Sequence, residues 1–178
     1  MPTVISHAVA AVALIAAFPA QAVPRRFMLL GAACSMAPDI DVIGFHFGVR
    51  YGDLLGHRGL THSFAFAAAL ASLALLTAFR PGSPMQRGLV WLYLFLATAS
   101  HGVLDAITDG GLGVAFFSPF DTTRYFFSFT PIAVSPIGAG FFSERGLTVM
   151  LSEVRWVWIP SIAFATTALA VRRFLNTR

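Results

Sequence analysis

Five apolar stretches, residues 4–23, 27–37, 63–79, 88–107 and 154–171, take up most of the chain. A helix needs about 20 apolar residues to cross the hydrocarbon core of a bilayer, and four of the five approach that length. The second would cover only about 16 Å at 1.5 Å per residue, so it is expected to enter the bilayer partway, lodged against its neighbours. With 57% hydrophobic and 11% charged residues in 178, and a mean hydropathy of +0.75, the chain does not fit a soluble globule. The expected fold is all-α: a polytopic membrane helical bundle with four spanning helices plus one short half-penetrating helix. Residues 1–178 then form one membrane-embedded domain, with loops 38–60 and 108–153 over the site.

Charge sets the expected orientation. All twelve basic residues are arginine. Connections at 24–26, 80–87 and 172–178 hold Arg25, Arg26, Arg80, Arg87, Arg172, Arg173 and Arg178 and no acid, whereas all eight acids fall on the other side. The positive-inside rule makes the arginine face and the C-terminus cytoplasmic, and the acidic face extracytoplasmic. Because the arginines are scattered over helix ends, a nucleic-acid partner is not expected despite the net charge of +4. A small-x-small pattern at Ala20 and Ala22 resembles a signal-peptidase site, but no arginine precedes the apolar run, and retention is the favoured reading. Cys34 has no thiol partner, so any metal would be held by nitrogen and oxygen.

The acidic face also collects the histidines. An aspartate at the centre of a membrane helix costs about 2.5–3.5 kcal/mol on insertion scales, so intramembrane acids tend to mark a paired or functional site. His101 and Asp105 stand four apart on one helix face. Asp39 and Asp41 in "PDID" follow the second segment; His57 and His62 in "HRGLTHS" bracket a glycine turn; His7 lies in the first segment. Each has a bland reading as a buried hydrogen-bonded residue, a turn or a helix cap. Their convergence from separate segments favours a metal site of one to three ions, and imidazole with carboxylate suits zinc first, with manganese or iron possible. Arg58 is the candidate to neutralise a substrate phosphate, and Asp41 or Asp105 the candidate proton acceptor. His46, between aromatics in a glycine-rich stretch, is read as a loop residue. Adjacent His62 and Ser63 diverge by about 100° on a helix and do not make a nucleophile pair. The aromatic-rich stretch from Phe116 to Phe142 is read as an interfacial anchor or an apolar lid able to receive an acyl chain, with Asp121 and Arg124 as its polar fixtures.

The pieces "SHAVAAVAL", "LGAACSMAPDIDVIG", "GHRGLTHSF", "HGVLDAITDGG" and "FFSPF", spread over residues 5–120, resemble the membrane-bound metal-dependent hydrolases, LexA-regulated bacterial inner-membrane proteins. The resemblance implies a multi-pass inner-membrane location, and metal or active-site roles for His7, Asp39, Asp41, His57, His62, His101 and Asp105. That family is in turn distantly similar in motif pattern to zinc-dependent phospholipase C and P1-type nuclease, which implies phosphodiester chemistry on a membrane lipid or lipid-linked substrate. Asp109-Gly110-Gly111 departs from the family pattern and leaves the loop geometry open. The rival expectations are a non-catalytic metal-binding or transport protein and a membrane scaffold. A transporter should show deep polar residues and inverted repeats, and neither is read here.

Overall fold

The computed structural model describes residues 1–78, 86–136 and 138–176. Most of the expected turn at Arg80–Arg87, together with Arg178, lies outside the described residues. Helix α1 (Val4–Leu14) tightens into a 3₁₀ turn, Ile15–Ala17, and stops where Pro19 forces Phe18 into extended backbone. Helix α2 (Arg26–Met36) does not end at Ala37 as expected. It continues through 3₁₀ turns, Ala37–Phe47, and closes on Gly48 at a φ of +81°. Pro38 is tolerated because it opens the new turns, where its missing N–H leaves no partner unmet. Helices α3 (Phe64–Ala78) and α4 (Arg87–Ala106) follow. The expected loop 108–153 contains α5 (Glu144–Glu153), which runs through a π-helical turn, Val154–Trp158, into α6 (Ile159–Asn176).

The helices are therefore distributed differently from the expectation. Among the described residues three are long and apolar enough to cross a membrane: Arg26–Phe47, Arg87–Ala106 and Glu144–Leu175. Val4–Ala17 and Phe64–Ala78 are shorter. The segment expected to be short is the start of a helical path long and apolar enough to cross a membrane, because its two aspartates lie on that path and do not end it.

Helix α4 is the axis of the bundle, packed against α1, α2 and α3. Its buried stripe carries Val90, Tyr93, Leu94 and Ala97, and then, at the same helical spacing, His101 and Asp105. Around the apolar part of this stripe Phe27, Cys34, Ala11, Ala71 and Ala74 close the core. Small residues permit the close approach that packing in lipid requires. At Gly31 of α2 a side chain would collide with the Tyr93 ring, whose hydroxyl donates to the Ala11 carbonyl at 3.1 Å. Only 6% of the apolar window of Glu144–Leu175 is buried in protein, so α6 lines the outside of the bundle. No strand occurs among the described residues. Isolated bridges, Thr108 to Ile132 and Val114 to Tyr125, tie down the stretch after α4.

Candidate metal centre

Four separate pieces of chain deliver the polar side chains to one end of α4. His7 comes from the first turn of α1; Asp39 and Asp41 from the 3₁₀ turns after α2; His57 and Arg58 from the following loop; His62 from a 3₁₀ turn, Leu60–His62. Gly102 lets that last turn approach, since a Cβ there would meet the His62 carbonyl. The structure brings together all seven candidate ligands, in three groups of potential metal-binding atoms: His7, His101 and Asp105; Asp39, His62 and His101; Asp41, His57 and His62. No side chain in the set is more than 6% exposed.

For His57, His62 and His101, contacts at the rear of the ring decide which nitrogen faces the centre. The Nδ1 of His101 donates to the Ser35 carbonyl at 2.6 Å, which leaves Nε2 as the ligand atom. Asp41 stands behind two rings: its Oδ1 accepts from His57 Nδ1 at 2.7 Å, and its Oδ2 lies 3.2 Å from His62 Nδ1, which is also 3.0 Å from the Thr61 hydroxyl. The Thr61 hydroxyl donates to that Oδ2 at 2.6 Å. Asp41 thus orients imidazoles, while Nε2 of His62 points inward. Burial alone would strip a proton from His62, but its hydrogen bonds to Asp105 and Asp41 outweigh burial and raise its pKa to about 9.

Asp39 Oδ1 and Asp105 Oδ2 each lie near the same pair of imidazole nitrogens. Nε2 of His62 and Nε2 of His101 are 3.0 Å apart. Asp39 Oδ1 lies 3.8 Å from the first and 3.3 Å from the second, and Asp105 Oδ2 lies 3.4 Å and 4.0 Å from them. Metal–ligand bonds of about 2.0–2.1 Å place tetrahedral ligand atoms about 3.3 Å apart. Both oxygens of Asp39, Oδ1 of Asp105 and both ring nitrogens of His7 are buried without a hydrogen-bond partner, while Asp105 Oδ2 is ion-paired with Arg58 Nε at 3.0 Å. Such groups are costly unless something satisfies them. His7 stacks on His101 at 3.6 Å between ring centroids, with its Nε2 3.6 Å from Asp105 Oδ1. The donor set therefore fits a divalent metal, and the three overlapping groups leave room for more than one.

Arg58 has a different place from the one expected. It is completely buried, at a left-handed φ of 62°, with Nε 3.0 Å from Asp105 Oδ2. Its Nη1 donates to the Gly110 carbonyl at 2.8 Å and its Nη2 to the Thr108 hydroxyl at 2.9 Å. The guanidinium is engaged by Asp105, Gly110 and Thr108 in the wall of the site. This also accounts for Asp109-Gly110-Gly111: Gly111 sits at a φ of +97°, and a Cβ there would strike Arg58 Nη1 and the Tyr51 hydroxyl.

The YdjM inner membrane protein family matches residues 1–177. Inner membrane protein YbcI of Escherichia coli (strain K12) is 37% identical over 165 residues, covering 91% of this chain and 94% of that protein. The chain belongs to the YdjM inner membrane protein family. It is a multi-pass protein of the bacterial inner membrane. No solved structure matches it.

In this YdjM-family chain the aromatic-rich stretch divides its roles. Phe116 is buried and stacks on Phe64, whereas Phe117, Phe120, Phe126, Phe127, Phe129 and Phe142 are exposed. Arg124 does more than fix that stretch: it donates to the carbonyls of His57 at 3.0 Å and Tyr51 at 3.1 Å and so holds the His57 loop, with burial lowering its pKa. Asp121 is exposed and closes a local turn onto the Thr123 N–H. His46 is exposed and outside the three ligand groups. Sequence reasoning missed Thr108 and the Ser35 carbonyl as supports, and it missed the burial of Glu153. Only the last left a trace in the sequence, an acid directly before an apolar run.

Proposed function

We propose that this protein is a membrane-embedded, metal-dependent hydrolase acting on a phosphate ester or phosphodiester of a lipid or lipid-linked substrate. The observation that carries the reading is the pair of buried groups that share His101, Asp39 with His62 and His7 with Asp105, in which both Asp39 oxygens and both His7 nitrogens lack a hydrogen-bond partner. Asp39, Asp41 and Asp105 with Arg58 leave a net charge near −2 if the histidines are neutral, which a divalent ion offsets. Zinc suits these ligands best, and manganese or iron also fit. A bound ion supplies Lewis-acid polarisation of a phosphoryl group and activation of water. His62, His101 and Asp39 hold it, with His7, Asp105 and His57 available to further ions.

Asp41 is a candidate proton acceptor through His57, whose Nδ1 donates to it over 2.7 Å. Asp105, engaged by Arg58, is the ligand that Arg58 positions. Support for a lipid substrate comes from the exposed phenylalanines and from an apolar cleft of about 250 Å³ that includes Ala10, Val103, Trp156 and Phe164, beside the helices bearing His7 and His101. Arg26 at the start of α2, Arg87 at the start of α4 and Arg172 near the end of α6 lie at helix ends opposite the cluster. This supports an extracytoplasmic site and a cytoplasmic C-terminus.

A second reading rests on the closure of the cluster. Structural metal sites are sealed, whereas catalytic ones keep an open position, and these ligands are sealed. Metal analysis of the purified protein beside His62→Ala and Asp105→Ala, followed by release of phosphate or of the alcohol and phosphomonoester products from phospholipid vesicles, separates the readings. Stoichiometric metal lost in both variants, with turnover by the wild type, supports the hydrolase. Metal without turnover supports the structural or carrier role, and no metal in a folded protein supports the scaffold.

A further inference from the structure

Glu153 is a buried acid that the metal centre does not use. It ends α5, it is wholly inaccessible, and both its oxygens are directed at the start of α1. The Thr3 N–H donates to Oε1 at 2.6 Å, and the Thr3 and Ser6 hydroxyls donate to Oε2. Trp158 completes the arrangement, its Nε1 donating to Ser6 Oγ at 2.8 Å. In a regular α-helix, residues 153 and 158 would diverge by about 140° at 3.6 residues per turn. The π-helical turn Val154–Trp158 changes that register, and π turns recur at functional sites. Both side chains consequently reach the same hydroxyl.

What they hold is one step from the cluster. The Thr3 carbonyl accepts the His7 N–H at 3.3 Å, so the residue gripped by Glu153 also starts the turn that carries His7. The His7 ring nitrogens have no hydrogen-bond partner of their own. Its ring is placed by stacking on His101 and by the position of α1.

We propose that Glu153 and Trp158 form a clamp across the bundle that positions His7 over His101 and Asp105, making Glu153 a positioning residue of the metal centre. The consequence for metal rests on the reading above, but the placement of His7 does not, and the test separates them. Full-length protein in detergent, stripped of metal, is treated with diethylpyrocarbonate, and modification of each histidine is followed by mass spectrometry. In the wild type His7 should be as protected as His101. In Glu153→Ala, His7 should react on the order of tenfold faster through local opening while His62 and His101 stay protected, and Glu153→Gln should recover part of the protection. Unchanged protection of His7 overturns the clamp. So does simultaneous exposure of every buried histidine, which would mark a general structural role.

Cobalt(II) absorption forms the second arm: Glu153→Ala should reproduce the spectrum of His7→Ala, and a difference between the two variants overturns the link to metal. A wild type that takes up no cobalt, zinc, manganese or iron counts against the metal reading, while the footprint still decides the clamp. Should Glu153→Ala not fold, Ser6→Ala and Trp158→Phe each remove one arm and are scored identically.

Discussion

The two ends of α4 share a buried stripe but not a chemistry. Toward its N-terminus Val90, Tyr93, Leu94 and Ala97 meet Phe27, Ala11 and Ala71, with the one buried hydroxyl, that of Tyr93, satisfied by a carbonyl. Toward its C-terminus the same stripe presents His101 and Asp105 to a cluster in which five carboxylate and imidazole atoms lack partners. The first end is complete as it stands. The second is shaped around something that satisfies it, and such a cluster is expensive to keep for packing alone, because an apolar replacement of similar volume would be as stable or more so.

Asp105→Ala should have the largest effect, since it leaves Arg58 buried opposite no acid. Loss of one member of a buried pair costs about 3–5 kcal/mol, so thermal unfolding in detergent should shift strongly and metal should be lost. A variant of wild-type stability would remove the distinction between the two ends. Gly31→Ala strikes the other end by pressing on Tyr93. Overpacking costs about 1–3 kcal/mol, and metal content per folded molecule should be unchanged; coupled loss of metal would show that the two ends are not separable.

The orienting role of Asp41 gives a finer test. Asp41→Asn should weaken metal affinity about tenfold to a hundredfold without abolishing binding, as outer-sphere partners do. Asp39→Asn should remove a direct ligand and bind more weakly still. Equal effects from the two variants would place Asp41 in the inner set.

The smallest effect is in pH. Because the folded pKa of His62 is raised to about 9, its protonation stabilises the metal-free protein fully below about pH 6.5, and this contribution fades as pH rises through about 9. A metal needs the neutral ring, so binding releases that proton, and affinity should rise by up to about tenfold per pH unit until about pH 9 and then level off. Calorimetry in buffers of differing ionisation enthalpy reads the released proton; binding without proton release would contradict the assignment.

Much of the cluster was legible because its signals are local. The four-residue spacing of His101 and Asp105, the acids of "PDID" and the histidines of "HRGLTHS" each announce themselves within a few residues. What was not legible depends on pairings across the chain. Arg58 looked free because its acceptors, Thr108 and Gly110, lie some 50 residues on and depend on the left-handed turn at Gly111. Glu153 looked like one acid among eight because its partners, Thr3 and Ser6, stand about 150 residues away. The second helix was read short because acids usually end a membrane run; here α4 and the His62 turn cover them, and the helical path continues.

The most direct test is an anomalous-scattering map, measured across the zinc, iron and manganese edges, from crystals of protein purified without chelator. The account predicts a peak among the Nε2 atoms of His62 and His101 and the carboxylates of Asp39 and Asp105. Those side chains well ordered, with no peak between them in protein supplied with all three metals, would contradict it.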